Sequence, residues 1–163
     1  MLQDRELAGQ VADMEQLMLR VGWMEQRRFA RQLSEFGLTV PQFFVLRSVW
    51  RREQHPTMST LADETLQRCA TITGIVGRLV KMGLVKRQRD THDRRQVLVE
   101  LTPRGRERLD EVRHFRVQCL RETFSRLPPA DARELLRLLR AYLEAVPGPD
   151  EARTPSEPHV AVE

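Results

Sequence analysis

Apolar side chains recur through the first part of the chain at spacings of three and four. Leu7, Val11, Met14, Met18 and Val21 form one stripe, which Leu17 and Met24 widen. That period belongs to an amphipathic helix of roughly five turns, with a weaker continuation through Phe29, Leu33 and Phe36. Gly37 is expected to end it. Thr39 before Pro41 reads as the N-cap of a second helix carrying Phe43, Phe44, Leu46, Val49 and Trp50. His55-Pro56 breaks the pattern, and Ser59 is the expected cap of a short helix with Leu61, Ala62 and Leu66 on its apolar side. After a turn over Gln67 and Arg68, a further helix has Ile72, Ile75, Val76, Leu79 and Val80 on its buried side, and Gly83 stops it. Two short helices a few residues apart, the second closed by glycine, give a helix-turn-helix outline.

Beyond Gly83 the period changes. Leu84 to Arg89 reads as a strand and Asp90-Thr91-His92-Asp93 as a polar turn. Val97, Val99 and Leu101 then alternate with Leu98 and Glu100 as in a half-buried strand. The result is a β-hairpin with a basic tip. Thr102 and Pro103 suit the cap and first position of the next helix, with Leu109, Val112, Phe115, Cys119, Leu120 and Phe124 on its apolar side. Pro128-Pro129 precedes a last helix with a broad apolar face from Leu135 to Val146. The expected fold is mainly α with a small β-hairpin wing: a winged helix-turn-helix over residues 38–102, flanked by helices over 1–37 and 103–146. Residues 147–163, rich in proline and acid, are expected to be a disordered tail. The outer helices are more apolar than so small a module buries alone. Either they form a homodimer interface, the simplest use of the surplus, or they pack into a bundle within one chain.

Charge sharpens the picture. The chain carries a net +4, but residues 68–95 hold eight basic side chains against Asp90 and Asp93, a local +6 in a remainder of −2. A concentrated basic excess beside an acidic remainder suits phosphate binding. No apolar run is long enough to span a bilayer. Met1 to Gly9 carries acids where a signal peptide has a basic start, so a cytoplasmic protein without membrane partners is expected.

The wing runs Arg89-Asp90, Asp93-Arg94-Arg95, then Val99-Glu100-Leu101-Thr102-Pro103-Arg104-Gly105. It follows an apolar helix end and Gly83-Leu84-Val85 with a basic pair, downstream of Leu61-Ala62. In this order and spacing the chain resembles the MarR family of bacterial transcription regulators, well over Leu33 to Leu109 and in pattern beyond. The resemblance implies a homodimer on an inverted-repeat operator in double-stranded DNA, acting as a repressor released by a small-molecule effector. It implies that the helix from about Ala70 to Met82 enters the major groove. The outward residues there are Thr71, Thr73, Gly74, Gly77, Arg78 and Lys81, with Arg68 at the helix mouth. Many family members carry a longer polar or basic side chain where this chain has Gly74, which leaves the base-reading contacts open. For the wing, the resemblance implies that Asp93 steadies Arg95 and that Arg95 enters a flanking A·T-rich minor groove. Lys86, Arg87, Arg89 and Arg94 would serve phosphates.

Other chemistry is sparse. Cys69 and Cys119 have no zinc-type spacing with each other or with the four histidines, so neither metal nor cofactor is expected. Cys69, at a helix mouth, would be the thiol of a redox-responsive regulator, although the peroxide-sensing members that the resemblance brings to mind use a cysteine in the first helix, where this chain has none. Trp23, Phe29, Phe43, Phe44 and Trp50 either line an effector pocket or are ordinary core. A winged-helix module that binds a protein partner is the competing class, and it leaves the basic excess without a use. No glycine loop or nucleophile–base pair asks for an enzyme.

Overall fold

The computed structural model describes residues 2–52, 55–90, 93 and 95–146. Thr91, His92 and Arg94 of the wing and the whole expected tail lie outside these. The elements run α1 (Leu2–Glu35), α2 (Val40–Arg51), α3 (Met58–Glu64), α4 (Cys69–Lys81), β1 (Val85–Arg89), β2 (Val97–Leu101), α5 (Pro103–Phe124) and α6 (Pro129–Ala145). The chain divides into two compact units, the first ending at Arg116 and the second beginning at Val117.

One core lies within the first unit. It begins at Phe29 and Leu33 of α1, takes in α2, α3, α4 and the hairpin, and ends at Leu109 and Val112 of α5. The strength of the apolar stripe on α1 therefore misleads. Its well-spaced half, Leu7 to Met24, is exposed, while the weaker continuation supplies the packed residues. At 1.5 Å per residue the 34-residue helix is about 51 Å long, and only its last turns reach the core. In the second unit, α6 buries none of its residues.

Local chemistry sets the joints. Thr39 caps α2 in a reciprocal box: its backbone N–H donates to Gln42 Oε1 at 2.8 Å, and Gln42 N–H donates to Thr39 Oγ1 at 3.5 Å. The cap of α3 is Thr57, not the expected Ser59, because Thr57 is the last extended residue and its hydroxyl accepts from Thr60 N–H at 3.2 Å. Helices α1, α3 and α4 close alike. The second residue past each helix's end has a positive φ: Gly37 at +68°, Leu66 at +52° and Gly83 at +70°. The next N–H then bonds back five residues, Leu38 to Leu33, Gln67 to Ala62 and Leu84 to Leu79, at 2.9–3.0 Å. Leu66, expected on the apolar side of α3, is instead 92% exposed in this turn. Val80, expected to be buried, is 38% exposed on α4.

The hairpin is antiparallel, pairing Val85 with Leu101, Arg87 with Val99 and Arg89 with Val97. A third segment, read from sequence only as a break, completes it. Thr57 bridges to Leu98, and Val99 N–H donates to Pro56 C=O at 3.0 Å, so β2 is paired on both sides. The hairpin returns to α5 at a tight junction. Thr102 Oγ1 accepts from Gly105 N–H at 3.0 Å and donates to Gly83 C=O at 2.7 Å. A Cβ on Gly105 would lie 2.0 Å from Leu84 O, so only glycine lets the start of α5 press against that backbone.

Candidate nucleic-acid interface

Helix α4 is amphipathic. Ile72, Ile75, Val76 and Leu79 are buried, which turns Thr71, Thr73, Gly74, Arg78 and Lys81 to the surface, all exposed. Arg68 is the N-cap residue, and no side-chain bond caps this helix, so its first N–H groups face outward together with an exposed guanidinium. Thr73 spends its hydroxyl proton on Cys69 C=O at 3.0 Å. Its outward oxygen lone pair and methyl remain, a pairing suited to an amine donor on a base or a thymine methyl. A Cβ on Gly74 would meet nothing within 4 Å, so no packing within the chain demands glycine there. Cys69 is exposed at the first position of α4.

The wing's cations divide into two sets. Lys86 is committed: its Nζ lies 2.9 Å from Glu100 Oε2, directly across the hairpin, and His55 Nε2 lies 3.8 Å from the same oxygen. Hydrogen bonding to Lys86, with the charges of Lys86, His55 and Arg106, holds the Glu100 carboxyl below the usual carboxylate range against a smaller desolvation penalty. Arg87, itself exposed, reaches across to α4, with Nη2 donating to Thr73 C=O at 3.1 Å. Arg89 and Arg95, near the tip, are exposed. Asp93 bonds within the tip: Oδ1 accepts from the backbone N–H of Arg95 at 3.0 Å, and Oδ2 from Gln96 Nε2 at 3.2 Å. Asp90 N–H donates to Gln96 C=O at 3.1 Å, which closes the tip.

The five expected ligand aromatics do not converge as a group. Phe29, Phe43 and Phe44 form an edge-to-face cluster with centroids 5.0–6.3 Å apart. Phe29 and Phe43 are core within it. Trp23 and Trp50 stand on the surface, with Arg27 over the first and Arg113 over the second, each 4.7 Å from the ring. Arg116 caps Phe29 at 4.2 Å. Phe44 borders an open cleft of about 480 Å³ lined also by Arg47, Ser48, Arg51, Arg52, Glu64 and Thr65. There Glu64 is held by Arg52 Nε at 2.6 Å and by Ser48 Oγ. Sequence reasoning passed over these arginines because each alone reads as a solvated helix face. No cluster of three or more metal-ligating side chains occurs among the described residues, and none of their helices is long and apolar enough to cross a membrane.

Comparison with known proteins settles the class. A family model described as transcriptional regulator SarA/Rot matches residues 27–112. The HTH-type transcriptional regulator YsmB of Bacillus subtilis is 30% identical over 114 residues, 70% of this chain and 77% of that protein. A MarR family protein from Bacillus stearothermophilus superposes with a TM-score of 0.75 at 26% identity, covering 84% of this chain and 95% of the other. The chain belongs to the MarR/SarA family of transcriptional regulators. As a MarR/SarA regulator it is a DNA-binding protein and not an enzyme. The matched span begins two residues before Phe29 and ends at Val112, the two limits of the core, so the family pattern and the packed module of this MarR-type protein coincide. A further solved relative, Bordetella bronchiseptica BpsR, whose DNA binding is regulated by 6-hydroxynicotinic acid, is 31% identical with a TM-score of 0.61. That match covers 81% of this chain and 94% of the relative.

Proposed function

We propose that this regulator acts in the cytoplasm as a homodimeric repressor on an inverted-repeat operator, with α4 in the major groove and the wing tip in the flanking minor groove. The observation that carries this reading is the exposed polar face of α4 beside a tip that leaves Arg89 and Arg95 uncommitted. Thr71, Thr73 and Arg78 would face base edges; Gly74 would let the groove floor approach. Arg68, Lys81, Arg89 and Arg94 would serve phosphates, and Arg95 would enter a narrow A·T-rich groove. Two-fold symmetry places half-site centres about one helical turn, roughly 10 bp, apart. Regulation by a small molecule is supported by the BpsR relative and by the aromatic and arginine-lined surface around Phe44.

Sequences selected from random duplex DNA supply the operator for the test. Arg95→Ala should weaken binding and relax the A·T preference at the flanks while the inner bases keep their discrimination. Thr73→Ala should do the reverse, at roughly 1–3 kcal/mol if its contact is base-specific. Competition with flank-substituted and core-substituted duplexes separates them. If Arg95→Ala alters inner-base preference and spares the flanks, the assignment of elements to grooves is wrong.

A further inference from the structure

We propose that Arg87 is a positioning residue: it fixes the wing against the recognition helix and does not neutralise a phosphate. The inference rests on the reading that α4 and the wing both face DNA, but its geometry is internal to the protein. In an antiparallel hairpin, residues two apart share a face, and directly paired residues share it too. Val85 and Arg87 therefore lie on one face with their partners Leu101 and Val99, and three of these four side chains are buried in the core. Arg87 is the exposed continuation of that face beyond the core, and its guanidinium ends on α4, with Nη2 3.1 Å from Thr73 O. The same nitrogen lies 3.7 Å from where a Cβ on Gly77 would be, so the guanidinium rests against the middle of the helix.

The placement has a mechanical reason. Val85 and Val99 are the outermost buried residues on their strands, and Gln88 to Val97 carries no buried side chain among its described residues. Pro56 and Thr57 brace β2, but among the described residues the side-chain hydrogen bond from β1 to α4 is that of Arg87. With it, the middle of β1 is tied to the middle of the helix by a charge-assisted bond. A flanking contact at the tip and base contacts on α4 then share one rigid frame, and the spacing between what each reads is set by Arg87. Lysine keeps the charge, but its ammonium ends one atom short of Nη2, which alone reaches the carbonyl.

The test compares wild type, Arg87→Ala and Arg87→Lys on the selected operator over a range of salt. A positioning role predicts that both variants lose affinity, by up to roughly tenfold where a loosened wing must be refixed on DNA. The slope of log affinity against log salt should stay that of wild type, and discrimination at the A·T flanks should fall. A phosphate contact predicts the opposite: Arg87→Ala flattens the slope by ~0.9 per protomer and Arg87→Lys restores affinity, which would overturn the proposal. Amide hydrogen exchange of the DNA-free proteins gives an independent arm. Arg87→Ala should speed exchange at Asp90 and Gln96 while α2 amides keep their wild-type protection. Unchanged exchange at the tip would equally refute the clasp. If wild type binds no duplex, the DNA reading fails and the exchange arm still decides Arg87.

Discussion

Glu100 shows how one side chain can be legible in position and hidden in role. Strand alternation puts it opposite Lys86, but nothing in the spacing brings His55, forty-five positions away, to the same carboxylate. Its hydrogen bond to Lys86 and the positive charge around it favour the ionised carboxylate. Its folded pKa lies below that of a free glutamate, about 4.3, so its contribution to stability is complete above that pH and is lost as pH falls through the folded value. Replacing Glu100 by Gln should therefore lower the urea midpoint at neutral pH, with the gap from wild type closing as pH falls below the range in which a free glutamate titrates. A gap that stays constant or widens on acidification would show that the carboxylate is not what these cations stabilise. Arg87 is a similar case. Parity alone places it on the face of Val85, a signal the sequence carries beside its local charge density.

At the level of elements, the helices, the hairpin and two of the three helix stops could be read directly, because period and glycine report them. Gly37 and Gly83 announce a left-handed residue; Leu66 does not, since a leucine there opposes its own backbone preference. It was consequently read as part of an apolar face. That conformation costs a side chain with a Cβ about 1 kcal/mol or more, and Leu66 recovers nothing by burial. Leu66→Gly should raise the stability of the folded chain by up to about 1 kcal/mol after the extra freedom of glycine in the unfolded state is deducted. Thermal unfolding checks this as a rise of a few degrees, and a fall would mean that the exposed leucine has a stabilising contact. The Pro56–Thr57 pairing escaped notice for another reason: two residues are too few to show any period.

Across the whole molecule, apolar surplus was legible as an amount but not as a location. The exposed stripe from Leu7 to Met24 and the exposed leucines of α6 carry more bare hydrocarbon than a monomer usually shows. Burial of these faces by a second copy is the homodimer proposed above. Sedimentation at micromolar concentration should then give about twice 19.1 kDa, and Leu139→Glu, which puts a charge into the α6 face, should shift the mass toward one chain. A wild-type chain that sediments as a single copy would remove the dimer and the two-fold operator with it. A variant that stays dimeric would place the seam elsewhere.

The strand formed by Pro56 and Thr57 bears on how such a protein survives at high concentration in a cell. A two-stranded ribbon ordinarily offers two rows of unused amides on which a neighbouring polypeptide can build. Here part of one row is taken, because Pro56 and Thr57 pair with β2 at Leu98 and Val99. The other belongs to β1, which carries Lys86, Arg87 and Arg89, so an incoming strand would have to accept a file of cations. The cations proposed above to meet a polyanion thus also disfavour the wing as a template for fibrous growth.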